Sequence, residues 1–553
     1  LTALLAAAIR RSRARVESAG PAGQTPRRAL LQAFVAGVVA FLLAGPQLLP
    51  LLEAIPHSAE YRARRAQIDA GAARQSVPAR EAARRLVPAA LPFAHGIYGK
   101  SPVQAEREDG SGMPLAYAGA VLFPLAALGL ASRRPARALF AACLAAGLLL
   151  GASAPGLLDL LVRMPGFALA LNYRLVFLAG FGLAGLAALG GEEAFERGRA
   201  GRLARTAFAT GVLLLLARAA ASGLLRERAL PDPFVAREFL FELVPVILLA
   251  AGALWWRGGG PRLAAAALAL LVVQRGLEMG GTYPSLPGSV LTPSVPALEA
   301  LRGSSARVGA AGADLRPNGA ALFRLEDVRG YESIVLDRFA DTFPLWCEAQ
   351  PASFNRISDL TRPFLTFLGM RFAVGAPDAP VPPGWTLYSR SDAVAVFENP
   401  RALPRAFVPA RIVEEANGQR TLAAMAQASD FSEVAWIAGA AGAPQERNPP
   451  ARLTVREVGP DLLLESEAAA PFFAATSLPD WPGWRAETSN GPLRLATVNH
   501  AFVGVRMPAG SQRVRLSYRP PAFLPGLGAF AFGVVAASLL AIAARRGAAR
   551  SGG

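Results

Sequence analysis

Apolar positions in this chain are gathered into blocks. Runs of about 17 to 25 residues, the length an α-helix needs to cross a hydrocarbon core, recur through the first half and once at the end. They predict membrane spans at 29–52, 114–132, 137–152, 174–190, 206–224, 239–256, 261–278 and 524–544, each bounded by charge or turn residues. The apolar stub LTALLAAAI at 1–9 reads as the end of a further span, with an upstream segment expected before Leu1. Between 279 and 523 the pattern changes to short mixed stretches, none of spanning length. Helix-like and strand-like pieces such as TRPFLTFLGMRFAVG and AVAVFENP predict an α/β region, whereas RLTVREV, DLLLESE, PFFAATSL, LRLATVN, FVGVRM and QRVRLSY alternate between turns. Alternation of that kind predicts a β-sandwich over 452–519, because two sheets must face each other to bury one side of each strand. Such a sandwich is expected to supply its own core.

The fold class is therefore a polytopic α-helical membrane protein with a large extracytoplasmic α/β plus β-sandwich region before the last transmembrane helix. Four segments are expected: a transmembrane helical domain over 1–281, an α/β domain over 282–410, a β-sandwich domain over 411–523, and a final helix with a basic tail over 524–553. Orientation follows from the arginines. Alternate connections carry RRSRAR at 10–15, RRPAR at 133–137, the stretch 192–205, RGGGPR at 257–262 and the tail after Arg545. Short loops rich in Arg and Lys stay in the cytoplasm, so these five share the inner side and 279–523 is expected outside. The locality this implies is the cytoplasmic membrane.

The composition, 53% hydrophobic and 18% charged, excludes an ordinary globular enzyme of this length. A net charge of +17 would ordinarily raise nucleic acid as a partner, but no motif of that class accompanies it and Lys100 is the sole lysine. The partner expected is membrane lipid, with no nucleic acid. Cys143 in an apolar run and Cys347 in the outer region are not expected to reach disulfide geometry. His57, His95 and His500 are too scattered for a metal set. No cofactor is evident, and a divalent metal stays an open point.

Seven segments, in order, carry a resemblance. GPQLLPLLEAIPHSAEYRAR at 45–64, LAYAGAVLFPLAALGL at 115–130, MPGFALALNYRLVFLAGFGLAGLA at 164–187, VRGYESIVLDRF at 328–339, FLGMRFAV at 367–374, PRAFVP at 404–409 and SLPDWPGWRAE at 477–487 resemble the YfhO-like bacterial membrane proteins. NHAFVGVRMPAGSQRVRLSYRPPAF at 499–523 completes the series before the last helix. The family looks like a branch of the GT-C glycosyltransferases, which take sugars from polyprenyl-phosphate carriers and attach them to extracytoplasmic acceptors. The resemblance implies a polyprenyl-phosphate sugar and a cell-envelope glycan or glycolipid acceptor as partners. It also implies a catalytic acid in the first outer loop, which is expected to lie upstream of this chain.

Sugar transfer with inversion needs a carboxylate to accept the acceptor's proton and cations to hold the departing lipid phosphate. The loop at 53–113 offers Glu53 and Glu60 as the first candidates for the acid, with Asp69, Glu106, Glu108 and Asp109 behind them. Arg62 and Arg64 are phosphate-binding candidates, beside Arg65 and Lys100, because the arginine fork matches phosphate oxygens. Each can equally be a solvated or headgroup-facing charge. Gln47, in PQLLP, sits where two prolines free backbone groups inside a helix; it marks either a functional kink or a contact with a neighbouring helix. Arg174 in NYR either reaches a lipid phosphate or snorkels to the interface. Trp481 and Trp484 in DWPGW form either a glycan platform or a packed turn. Arg218, Glu242, Arg275 and Glu278 fall inside predicted spans, and an Arg218–Glu242 pair is expected, either as a helix lock or as part of a pocket for a lipid-carried phosphate. Two other classes of function remain beside the enzyme: a non-catalytic envelope protein that binds glycans or partner proteins through its outer domain, and a transporter.

Overall fold

The computed structural model describes residues 26–551 apart from 70–75, 96–116, 165, 169, 280–286, 292–293, 305, 313, 331, 333, 349–354 and 440–445. Two compact units emerge, one from the described residues of 1–63 and 292–553 and the other from those of 64–291.

The second unit is helical. Ala136–Gly151 and Phe177–Gly191 pack where glycines let backbones touch: a Cβ on Gly147 would lie 2.1 Å from the Ala179 nitrogen, and one on Gly182 2.4 Å from the Leu144 nitrogen. Leu122–Leu130 meets the same helix through Gly129 and Gly190. Small residues at helix crossings are the membrane solution to packing, since lipid tails remove the hydrophobic drive between helices. Ala200–Ala220, Asp232–Trp255 and Pro261–Met279 complete the unit.

Among the described residues three helices are long and apolar enough to cross a membrane, Asn172–Glu196, Ala200–Ala220 and Phe523–Arg546. A fourth span would be the bent pair Phe34–Leu43 and Gly45–His57, whose halves meet at 78°. The break falls just before Pro46, which lacks the N–H that would continue the helix. Of the run expected at 114–132, the described part from 117 onward forms a shorter helix, Leu122–Leu130, because Gly119 at φ +111° turns the chain just ahead of it.

The first unit holds three sheets. Glu326–Asp327, Arg307–Ala310, Met370–Gly375, Ala395–Glu398 and Thr386–Arg390 lie side by side in that order, parallel through the first three strands and antiparallel beyond. A second sheet runs Arg452–Val458, Asp461–Ala468, Gly510–Tyr518, Trp484–Thr488, Gly491–Leu493. The third has seven strands, with Phe472–Pro479, Phe502–Met507 and Leu495–Val498 joined by Ala406–Phe407, Val434–Ile437, Arg411–Glu414 and Glu446–Arg447. The second and third sheets face each other across Leu464, Val514 and Leu516 on one side and Ala474, Val503 and Val505 on the other. The third sheet's other face carries Phe473 and Phe502 into a larger core with Trp346, Phe364, Phe367 and Phe431. The sandwich therefore does not own its whole core, contrary to what the alternation of 452–519 suggests. Four of its strands, and the aromatic side chains that cover Phe473 and Phe502, come from before residue 452.

Candidate functional site

Ser58 starts the site. Its hydroxyl accepts the Tyr61 N–H at 3.2 Å, capping the helix Ala59–Asp69, and donates to the Ile55 carbonyl at 2.7 Å. Ser58 also bridges to Leu336, and the Ala59 N–H donates to the Val335 carbonyl at 2.9 Å. These contacts set the helix against the short helix Asp337–Asp341, on which Asp337 and Asp341 share a face at i and i+4. Arg62 then closes on it. Its guanidinium donates to both Asp341 carboxylate oxygens, at 3.1 and 2.5 Å, and to the Asp337 carbonyl at 3.2 Å.

The other Asp341 contact is His500, whose Nε2 lies 3.0 Å from Oδ2. Asn499 and His500 occupy consecutive left-handed positions, φ +46° and +69°, a conformation that costs a histidine energy and persists because the surroundings fix it. Asn499 is fixed to Trp436, giving its N–H to the Trp436 carbonyl at 2.7 Å and accepting the Trp436 N–H on Oδ1 at 3.0 Å. Gly418 leaves room for the imidazole, since a Cβ there would lie 2.8 Å from His500 Cε1. Beside the triad, Arg338 donates to Thr497 at 3.4 Å and Thr497 donates to Asp480 at 2.6 Å.

Burial pushes the Asp341 carboxyl up, but the hydrogen bonds from Arg62 and His500 outweigh it and hold it below the ordinary carboxylate range. The hydrogen bond to Asp341 raises Arg62 in turn, partly opposed by burial. The result is an ionised carboxylate clamped by a guanidinium and an imidazole, with the Arg62 side chain still 48% exposed. It can hold an anion beside Arg62 or take a proton on Asp341. Among the described residues no group of three or more His, Cys, Asp or Glu is placed to hold a metal ion.

The residues expected from sequence are distributed as follows. Glu53 accepts the Ala522 N–H at 2.8 Å, at the entry to the final helix, so its carboxylate is committed to structure. Glu60 is exposed in the first turn of the Arg62 helix, and Arg64 is half-buried further along it. Gln47 is exposed just after the 78° bend, and Arg174 is exposed in the turn Asn172–Val176. Trp484 donates its indole N–H to the Pro479 carbonyl at 2.9 Å and stacks 5.3 Å from Tyr518, so it packs the turn; Trp481 is half-buried beside it. Glu106, Glu108, Asp109 and Lys100 lie outside the described residues. The expected Arg218–Glu242 pair does not form: the Arg218 guanidinium lies 5.3 Å from the Phe239 ring, and Glu242 bonds to Tyr117 and Gln274. The helix phase places Phe239, not Glu242, opposite Arg218.

Asp341 and His500 were not candidates on sequence. The available signals were an i, i+4 carboxylate pair in LDRFAD and an Asn-His turn between two strands, both inside or beside segments that carried the resemblance.

Residues 470–529 match the family model described as "Bacterial membrane protein YfhO", a stretch that includes His500, the DWPGW turn and the start of the final helix. The resemblance read from the sequence is thus met over residues 470–529, from the strand Phe472–Pro479 to the first turns of the last helix. No curated protein and no solved structure matches the chain.

Proposed function

We propose that this cell-envelope membrane protein is a GT-C-type glycosyltransferase, moving a sugar from a polyprenyl-phosphate carrier to an extracytoplasmic envelope glycopolymer or glycolipid. One observation carries the reading. Arg62, Asp341 and His500, drawn from three distant segments, meet on the helix that follows the bent membrane pair, nine positions after the residue that holds the entry to the final helix. A substrate whose phosphate rides on a membrane lipid and whose acceptor is outside must be handled at such a place. In this reading Arg62 faces the lipid phosphate, and Asp341, kept ionised by its two partners, accepts the acceptor's proton.

The same reading takes the chain as multi-pass in the cytoplasmic membrane, with 279–523 outside. The span count above three is supported by Asp232–Trp255 and Pro261–Met279, which expose Leu240, Val244 and Ile247, and Leu268, Val272 and Val273, on their outer faces. Labelling of a cysteine introduced at Ser511 in intact cells tests the orientation; labelling only after the membrane is breached would reverse it.

Sugar transfer is tested in the bacterium that carries the gene. Deletion should remove one sugar substituent from an envelope glycan, read by mass spectrometry, and D341N should reproduce the loss with the protein still at its normal level in the membrane. An unchanged glycan profile in the deletion strain would sink the enzyme reading. A second reading, a non-catalytic envelope protein that binds glycans or partners, is favoured by the bidentate Asp341 contact, which already engages both terminal nitrogens of Arg62. It predicts glycan retention by the outer region without any change in glycan composition.

A further inference from the structure

The helical unit contains a carboxyl group that no cation pairs with among the described residues. Glu242, midway along Asp232–Trp255, is 1% exposed. Its partners are the Tyr117 hydroxyl, the Gln274 amide at 2.9 Å and the Glu278 carboxyl, and among the described residues no cation lies within ion-pair distance of it. Gln274 cannot turn away: its Oε1 accepts the Val121 N–H at 3.3 Å and its Nε2 also donates to the Phe241 carbonyl at 3.1 Å. The amide is thus held with its donor side toward Glu242 and Tyr117.

The charged groups on the elements around this point are accounted for. On the same helix, Glu238 is paired with Arg237 at 2.7 Å. On Pro261–Met279, Arg275 bonds to Glu278 and sets its guanidinium 5.4 Å from the Tyr117 ring. On the packed helix Ala200–Ala220, Arg218 lies over Phe239. Tyr117 touches both carboxyls, bonded to Glu242 and 3.4 Å from Glu278.

An ionised carboxylate enclosed among apolar helices, beside a second carboxyl and with no cation paired to it, is costly, and such a group takes up a proton instead. We infer that Glu242 binds a proton inside the helical unit and that Tyr117 relays it to Glu278. The step balances without any co-reactant: the Glu242 O–H proton passes to the Tyr117 oxygen as the Tyr117 hydroxyl proton passes to Glu278 Oε1. Glu242 ends as the carboxylate, Glu278 as the acid, and the Tyr117 O–H is restored with no electrons gained or lost. Glu278, 6% exposed, lies at the end of its helix beside Arg275, which is 31% exposed, so the relay runs from a mid-helix position toward the helix end. This site is distinct from the Arg62 cluster and stands whether or not sugar is transferred.

Infrared spectroscopy of the full chain in liposomes at neutral pH tests it. A carbonyl stretch of a buried protonated carboxyl should be present, should move when glutamate is labelled with carbon-13 in the side-chain carboxyl, and should vanish in E242Q while surviving in E238Q. In Y117F the band should persist but its hydrogen–deuterium exchange should slow several-fold. Absence of a glutamate-derived band in the labelled wild-type protein, which requires no variant to fold, overturns the proton site. An exchange rate in Y117F equal to wild type overturns the relay.

Discussion

Glu53 and Ala522 are 469 residues apart, and a carboxylate oxygen of the first accepts the backbone N–H of the second at 2.8 Å. Ala522 immediately precedes the helix Phe523–Ser551, whose first N–H groups have no partner within the helix itself. A charged acceptor at that end also complements the helix dipole. The contact ties the bent N-terminal pair to the last helix just where the chain leaves the β-sandwich.

Replacing Glu53 with Ala should therefore loosen that junction. A hydrogen bond to a charged group contributes about 1.5 to 3 kcal/mol, so E53A should lower the thermal midpoint in detergent, and E53Q, which keeps an acceptor, should lower it less. Equal effects of the two substitutions would mean that the acceptor does not matter.

Close backbone contact makes a sharper demand a few residues further on. A Cβ on Gly526 would sit 2.6 Å from the Gly45 carbonyl oxygen and 2.9 Å from Pro46 Cα, and backbone atoms cannot step aside as a side chain can. G526A should force the two helices apart at a cost of about 1 to 3 kcal/mol, whereas G528A, which meets nothing within 4 Å, should be nearly neutral. Thermal melts of the two variants side by side check this.

The Asp341 clamp has a pH signature. Its carboxyl titrates lower folded than unfolded, so its stabilisation is complete above the ordinary carboxylate pKa and is lost as pH falls through the lowered folded value. Acid should thus weaken the wild-type protein in that window, and the D341N and R62A variants should show a flatter acid limb. Melting temperatures measured from neutral pH downward give the comparison.

Cys347 is 3% exposed, and burial pushes its thiol up to about 12. It should resist thiol reagents at neutral pH in the folded protein and react once denaturant is added. Fast labelling of Cys347 under native conditions would mean that the core around Trp346 opens readily.

A fragment of 452–519 should fail to fold alone. It would lose the strands Ala406–Phe407, Arg411–Glu414 and Val434–Ile437 and uncover Phe473 and Phe502, which pack against Phe364 and Phe367. Extending the fragment back to 294 restores those partners. Dispersed amide resonances from the longer piece and a collapsed spectrum from the shorter one are the expected outcome.

The sequence by itself determined what depends on neighbours within a few turns of chain. Blocks of apolar residues become helices such as Ala200–Ala220 and Phe523–Ser551 because the length and composition of one segment decide whether its backbone can be satisfied in lipid. The alternation in RVRLSY becomes the strand Gly510–Tyr518, with Val514 and Leu516 inward, because side chains on a strand change face at every residue. Tertiary structure decided what depends on distant partners. Whether Glu53 is a free base or a cap was fixed by where Ala522 arrives, and whether Arg218 meets Glu242 was fixed by the relative phase of two helices. Asp341 and His500 are ordinary in their own segments and acquire a common site only when residues 58, 336, 436 and 499 bring three parts of the chain together. Hydropathy acts locally along the chain, whereas a hydrogen-bonded site depends on loop closures over hundreds of residues that no local pattern encodes.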